Sequence, residues 1–111
     1  MINKQITSDL LRGHTDTIVL GLLMSGDKYG YEIIKLISEK THNAYELKEA
    51  TMYSSLKRLE ADGYIKAYWG TETQGGRRRY YSITATGKEF YAESRSNWDF
   101  AKNILDQLIN L

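Results

Sequence analysis

The stretch Glu46-Leu-Lys-Glu-Ala-Thr-Met-Tyr-Ser-Ser-Leu-Lys-Arg-Leu-Glu-Ala-Asp-Gly63, followed directly by Tyr64-Ile-Lys-Ala-Tyr-Trp69, decides the reading of this chain. Met52, Leu56 and Leu59 recur at i, i+4 and i+7, the spacing of a core-facing stripe on an amphipathic helix. At about 100° per residue, Ala50, Thr51, Ser54, Lys57 and Arg58 project away from that stripe, with Tyr53 on its flank. Such a face is small, hydroxylated and basic. It can approach a nucleic-acid groove closely and still reach phosphates and base edges. Gly63 stands where a left-handed cap would close the helix.

Downstream, Tyr64–Trp69 and Arg79–Ile83 are rich in aromatic and β-branched residues and are expected as strands. The loop between them carries Gly75-Gly76, a pair that permits positive φ at a hairpin tip, and then Arg77, Arg78 and Arg79. Arginine beside a bare tip suits phosphate or minor-groove contact because nothing bulky blocks the approach. On an unrelated surface the same triplet would be a solubility feature. Directly after an outward-basic helix, it favours nucleic acid.

Upstream, residues 1–8 are polar and expected to be loosely held. Leu11, Thr15, Ile18, Val19, Leu22 and Leu23 keep a helical period from Asp9 to Ser25, and Ser25-Gly-Asp-Lys28 is a turn. Tyr29–Lys40 gives a second helix with Tyr31, Ile34 and Ile37 expected inward, and Ala44–Leu47 a short extended link. Helix, helix, helix and hairpin together form the winged variant of helix-turn-helix, a mainly α fold with a small β-hairpin (α+β).

Thr84 is the expected N-cap of a last helix running to Leu111, about 40 Å at 1.5 Å per residue. Tyr91, Ser94, Trp98, Ala101, Leu105 and Leu108 alternate at three and four residues, a coiled-coil seam. Phe90, Asn97, Ile104 and Leu111 form a second row beside it. So broad a face exceeds what a small domain covers, so pairing with a second copy is expected. Folding back over its own domain is the alternative. Residues 1–83 are thus expected as the DNA-binding domain and 84–111 as a dimerisation helix using Phe90, Tyr91, Trp98, Ala101, Ile104, Leu105 and Leu108.

The 111 residues suit one compact domain with one long extra element. Without cysteine there is neither disulfide nor thiolate metal site. No apolar run reaches membrane-span length and no signal-peptide core is evident, so a cytoplasmic protein is expected. Net charge is only +1, but residues 64–88 carry a local +4, a basic end to the molecule. His14 and His42 are isolated. No carboxylate pair, nucleophile–base arrangement or phosphate-cradling loop accompanies them, so no enzyme, metal or cofactor is expected.

Three runs, in this order and spacing, resemble the PadR family of bacterial transcriptional regulators along the whole chain: Leu20-Gly-Leu-Leu…Tyr29-Gly-Tyr-Glu-Ile, Glu49-Ala-Thr-Met-Tyr…Leu56-Lys-Arg-Leu-Glu-Ala-Asp-Gly-Tyr-Ile, and Gly75-Gly-Arg-Arg-Arg-Tyr-Tyr-Ser-Ile-Thr…Gly87. The resemblance implies a winged-helix homodimer that represses at an inverted-repeat operator and is released by an effector. The single C-terminal helix is similar to that of the smaller, multidrug-sensing repressors. There, a tryptophan of the last helix lines a flat pore for planar aromatic compounds. Trp98 occupies the matching position, and the resemblance would place Leu10, Gly13, Asp16, Thr17 and Gly21 opposite it. Arg95 and Lys102 flank Trp98 where those relatives have an aromatic and an acidic residue. A cationic rim repels lipophilic cations unless Asp16 or Asp99 offsets it, so a planar neutral or anionic effector is expected. Trp98 could equally fill a dimer core.

On this reading Lys48, Thr51, Tyr53, Ser54, Lys57 and Arg58 meet the major groove and its flanking phosphates, while Arg77, Arg78 and Arg79 meet the backbone or minor groove. The rival is a protein-interaction module that uses a winged fold as a scaffold, since fold does not fix function.

Overall fold

The computed structural model describes residues 4–111. The part of the polar N-terminal segment before Lys4 lies outside the described residues. Ile6 is tied down, its amide donating to the Ala44 carbonyl at 2.8 Å. The segment expected as one helix from Asp9 to Ser25 is two: α1 (Ser8–Leu11) and α2 (Thr15–Leu23). The break falls at Gly13, whose φ of +89° lies outside the helical region. Then come β1 (Lys28–Tyr29), α3 (Gly30–Lys40), α4 (Glu49–Ala61), β2 (Ile65–Trp69), β3 (Arg79–Ile83) and α5 (Ala85–Ile109).

Helix α4 forms as its period requires. Met52, Leu56 and Leu59 are buried against Val19, Leu20 and Leu23 of α2, Ile33 and Ile37 of α3, and Ile65 and Tyr81 of the sheet. Each buried side chain of this size contributes roughly 1.5–3 kcal/mol. The helix ends in a Schellman turn: the Gly63 amide donates to Glu60 and the Tyr64 amide to Leu59, with Gly63 at φ +78°. That reversal launches β2 from the end of α4.

Two expectations are corrected in α3. Its buried stripe is Ile33 and Ile37, with Ile34 only half-buried, and Tyr31 is 68% exposed. The helix also begins one residue late, because Lys28 and Tyr29 pair with Tyr81 and Tyr80 as an edge strand. The sheet is therefore three-stranded and antiparallel, in the order β1-β3-β2. The hairpin β2–β3 runs in register from Ile65 opposite Ile83 to Trp69 opposite Arg79, and Gly75 and Gly76 take positive φ at its tip.

The Thr84 hydroxyl caps α5, accepting from the Gly87 amide at 3.0 Å and donating to the Gly63 carbonyl at 2.8 Å. The first turns of α5 pack on their own domain: Phe90 stacks on Tyr64 with ring centroids 4.2 Å apart, and Tyr91 lies against Gly21. From Arg95 onward every residue is exposed. Among the described residues, no helix is long and apolar enough to cross a membrane.

Candidate nucleic-acid interface and ligand groove

Burial of one stripe of α4 leaves the opposite face outside. Ala50, Thr51, Ser54 and Lys57 are exposed there, and Lys48 is the exposed N-cap residue. None of these side chains is hydrogen-bonded or ion-paired among the described residues. Tyr53 is half-exposed and braced: a Cβ on Gly30 would lie 2.8 Å from its hydroxyl, so only glycine lets the ring rest there.

Arg58 is held differently. Its Nε donates to Asp16 Oδ2 at 2.9 Å and its Nη2 to Asp16 Oδ1 at 2.6 Å, a bidentate fork. Ser55 Oγ, fully buried, donates to the same Oδ1 at 2.6 Å. Partial burial alone would raise the Asp16 carboxyl. The hydrogen bonds from Arg58 and Ser55, with the charge of Arg58, outweigh it and hold the group below its ordinary value. Ser55 is a site residue that sequence reading missed. Its hydroxyl carries no signal until Asp16, 39 residues away, is brought beside it.

The wing offers three arginines in three states. Arg77, next to the glycine tip, is exposed and forms no ion pair among the described residues. Arg78 lies over the Tyr29 ring at 4.6 Å, and its amide donates to Glu72 Oε1. Glu72 also accepts from the Tyr80 hydroxyl at 2.6 Å, and these two hydrogen bonds lower its carboxyl while the Tyr80 hydroxyl is raised. The loop is thereby folded back on its own hairpin. Arg79 faces Glu60 at 3.4 Å and the Trp69 ring at 5.8 Å.

On the other side of α2, an open and largely apolar groove of about 540 Å³ lies between α2, α3 and α5. Thr17, Gly21, Arg95 and Trp98 line it together with Ile18, Lys40 and Tyr91. Of the other residues expected near Trp98, Leu10 is exposed on α1, and Gly13 and Asp16 border a separate cleft against α4. Lys102 is exposed on α5, a turn beyond Trp98. His14, isolated in the sequence, packs edge-on against Trp98 with ring centroids 4.9 Å apart.

A three-helix unit whose last helix runs into a glycine-tipped, arginine-bearing hairpin defines the winged helix-turn-helix class of DNA-binding proteins. The family model described as the transcriptional regulator PadR-like family matches residues 19–93. The chain belongs to that family, one of transcriptional regulators and not of enzymes. It is 45% identical over 101 residues to an uncharacterised protein of Lysinibacillus sphaericus, covering 91% of this chain and 93% of the other. It is 32% identical over 73 residues to the negative transcriptional regulator PadR of Bacillus subtilis, covering 64% of this chain but 39% of that longer protein. Among solved structures, a transcriptional regulator from Clostridium thermocellum matches with TM-score 0.85 and 48% identity, covering 92% and 96% of the two chains. Bacillus subtilis PadR in complex with operator DNA matches with TM-score 0.63 and 26% identity, over 70% of this chain and 45% of that one.

Proposed function

We propose that the protein is a dimeric repressor that holds an inverted-repeat operator through α4 and the wing and releases it when a small planar effector enters the groove beside Trp98. The observation that carries the DNA-binding part is the row Lys48, Thr51, Ser54 and Lys57 at the start and along the outer face of α4, unpaired among the described residues, followed along the chain by Arg77 of the hairpin, which forms no ion pair among them. Lysine and arginine supply phosphate contacts, while the hydroxyls can read base edges. Tyr53 and Arg78, each braced by a neighbour, add contacts of fixed orientation. Arg79 adds what its pairing with Glu60 leaves free. The relationship to the negative regulator PadR of Bacillus subtilis, whose structure with operator DNA is known, supports the same reading.

Residues 84–111 serve as the dimerisation element, with Trp98, Ala101, Ile104, Leu105 and Leu108 at the contact. Phe90 and Tyr91, satisfied within one chain, contribute at its edge. The effector is planar and neutral or anionic. Asp16 is turned towards α4, which leaves Arg95 and Lys40 as the charged residues lining the groove. A flat aromatic ring gains by lying on Trp98, and a carboxylate or phenolate gains from the two cations.

Lys57→Ala and Arg77→Ala should weaken binding to every duplex, each lowering the salt slope by about 0.9. Thr51→Ala and Ser54→Ala should instead shift sequence preference. If promoter affinity survives all four substitutions unchanged, the DNA assignment fails. For the effector, Trp98 fluorescence is titrated with charged and neutral planar aromatics in a Trp69→Phe background, since Trp69 on the wing is also exposed. Quenching by cationic dyes alone would overturn the charge assignment.

A further inference from the structure

Thr51, Ser54 and Arg58 stand at i, i+3 and i+7 on α4, so a duplex that reaches the two hydroxyls also reaches the position of Arg58. All three border a cleft of about 570 Å³ between α4 and the start of α2, which Lys48 also lines. Arg58 has the residue type of a phosphate contact and the place of one. Its guanidinium is nonetheless committed inward. Nε and Nη2 both end on Asp16, whose side chain is 27% exposed and is locked by the buried Ser55 hydroxyl.

We propose that Asp16 is a specificity-determining residue that withholds Arg58 from the DNA backbone and so restrains sequence-independent binding. The inference rests on the DNA-binding reading above. A phosphate can take Arg58 only by leaving the Asp16 carboxylate, largely buried, with one hydroxyl as partner. The new contact would form at a solvent-screened surface, whereas the old one is a short fork with partial desolvation. The exchange is unfavourable, and the pair approaches DNA as a neutral unit. One cation is thereby removed from the non-specific contact set, while Lys57 and Arg77 remain in it. The same fork ties α4 to α2 across 42 residues of sequence, so the geometry of the recognition helix is fixed by the interaction that removes the charge.

The test is the salt dependence of binding to a random-sequence duplex of roughly 30 base pairs, measured for wild type, Asp16→Asn, Asp16→Asn/Arg58→Gln and Lys57→Ala. Asp16→Asn frees Arg58, so its slope in log affinity against log salt should steepen by about 0.9. Between roughly 200 and 50 mM salt it then gains about threefold more affinity than wild type. The double variant, with an amide pair of the same net charge, should return to the wild-type slope. A gain in affinity is not a result that impaired folding can produce. An Asp16→Asn slope no steeper than wild type overturns the proposal. So does a double variant shallower than wild type by about 0.9, which would mean that Arg58 reaches phosphate despite Asp16 and which reads out even if the single variant folds poorly. Failure of the parent reading looks different: wild type itself shows a flat salt response, and Lys57→Ala leaves it unchanged.

Discussion

Asp16, on α2, is bonded through its side chain to Ser55 and Arg58 of α4. It accepts three hydrogen bonds from α4, yet it belongs to α2, which also lines the apolar groove beside Trp98 through Thr17 and Gly21. Removing it leaves Ser55 buried without a partner and Arg58 unpaired, so Asp16→Ala should cost about 1–3 kcal/mol in urea denaturation. Its pH dependence has a definite sign. The folded-state value lies below the ordinary 3.8, so the stabilisation is complete above that value and drains away as pH falls through the folded value. Acid unfolding of Asp16→Asn, followed by circular dichroism, should therefore lose less stability below about pH 4 than wild type loses. An identical acid profile in the two proteins would mean that the fork does not survive in solution. Thr84 is the other residue with a countable role. Replacing it with alanine removes the N-cap of α5 and its bond to Gly63, and should cost about 1 kcal/mol.

Between elements, the tightest approach is where α5 begins beside the base of the wing. A Cβ on Gly87 would sit 2.0 Å from the Tyr64 carbonyl oxygen and 2.8 Å from Ile83 Cγ1. In an open helix, alanine for glycine gains about 1 kcal/mol of propensity. Here the obstruction is backbone, which cannot rotate away, so the sign reverses. Gly87→Ala should destabilise by about 1–3 kcal/mol, and a denaturation midpoint at or above wild type would refute the close packing. Elements whose signals are local were legible in the sequence: the Met52, Leu56, Leu59 stripe, the Gly63 reversal, the Thr84 cap and the two wing strands. What sequence left hidden depends on partners far along the chain. Tyr31 fits a helical period as well as Ile33 does, and only the position of the sheet decides which is buried. The pairing of Lys28 and Tyr29 with β3 is too short to leave a pattern. Asp16 was expected to face Trp98, but one helix step of about 100° separates it from Thr17, which does line the groove. Arg58 announces its charge in the sequence, while its commitment to Asp16 exists only after folding.

At the scale of the whole molecule, the long axis is 57 Å, and the far half of α5 projects beyond the domain that begins the chain. Phe100, Ile104, Leu105, Leu108 and Ile109 are all exposed on it, whereas the winged domain has a closed core of its own. An exposed apolar row of this length on an isolated helix is unfavourable in water, and pairing with a second copy removes it. In the proposed dimer two α4 helices would act on one duplex, the second engaging at the effective concentration set by the first. Leu105→Asp/Leu108→Asp should leave the winged domain folded, because neither residue touches its core. It should also convert a dimer to a monomer in sedimentation at micromolar concentration. Affinity for a symmetric promoter site should fall by about 10²–10⁴-fold, the loss expected when a bivalent contact becomes a single one. Affinity for a half-site, where only one winged domain can bind, should change far less. That pair of measurements separates loss of avidity from damage to the DNA-binding surface. If wild type sediments as a monomer under the same conditions, or if the symmetric and half sites lose affinity equally, the exposed row on α5 has some purpose other than pairing two wings on one operator.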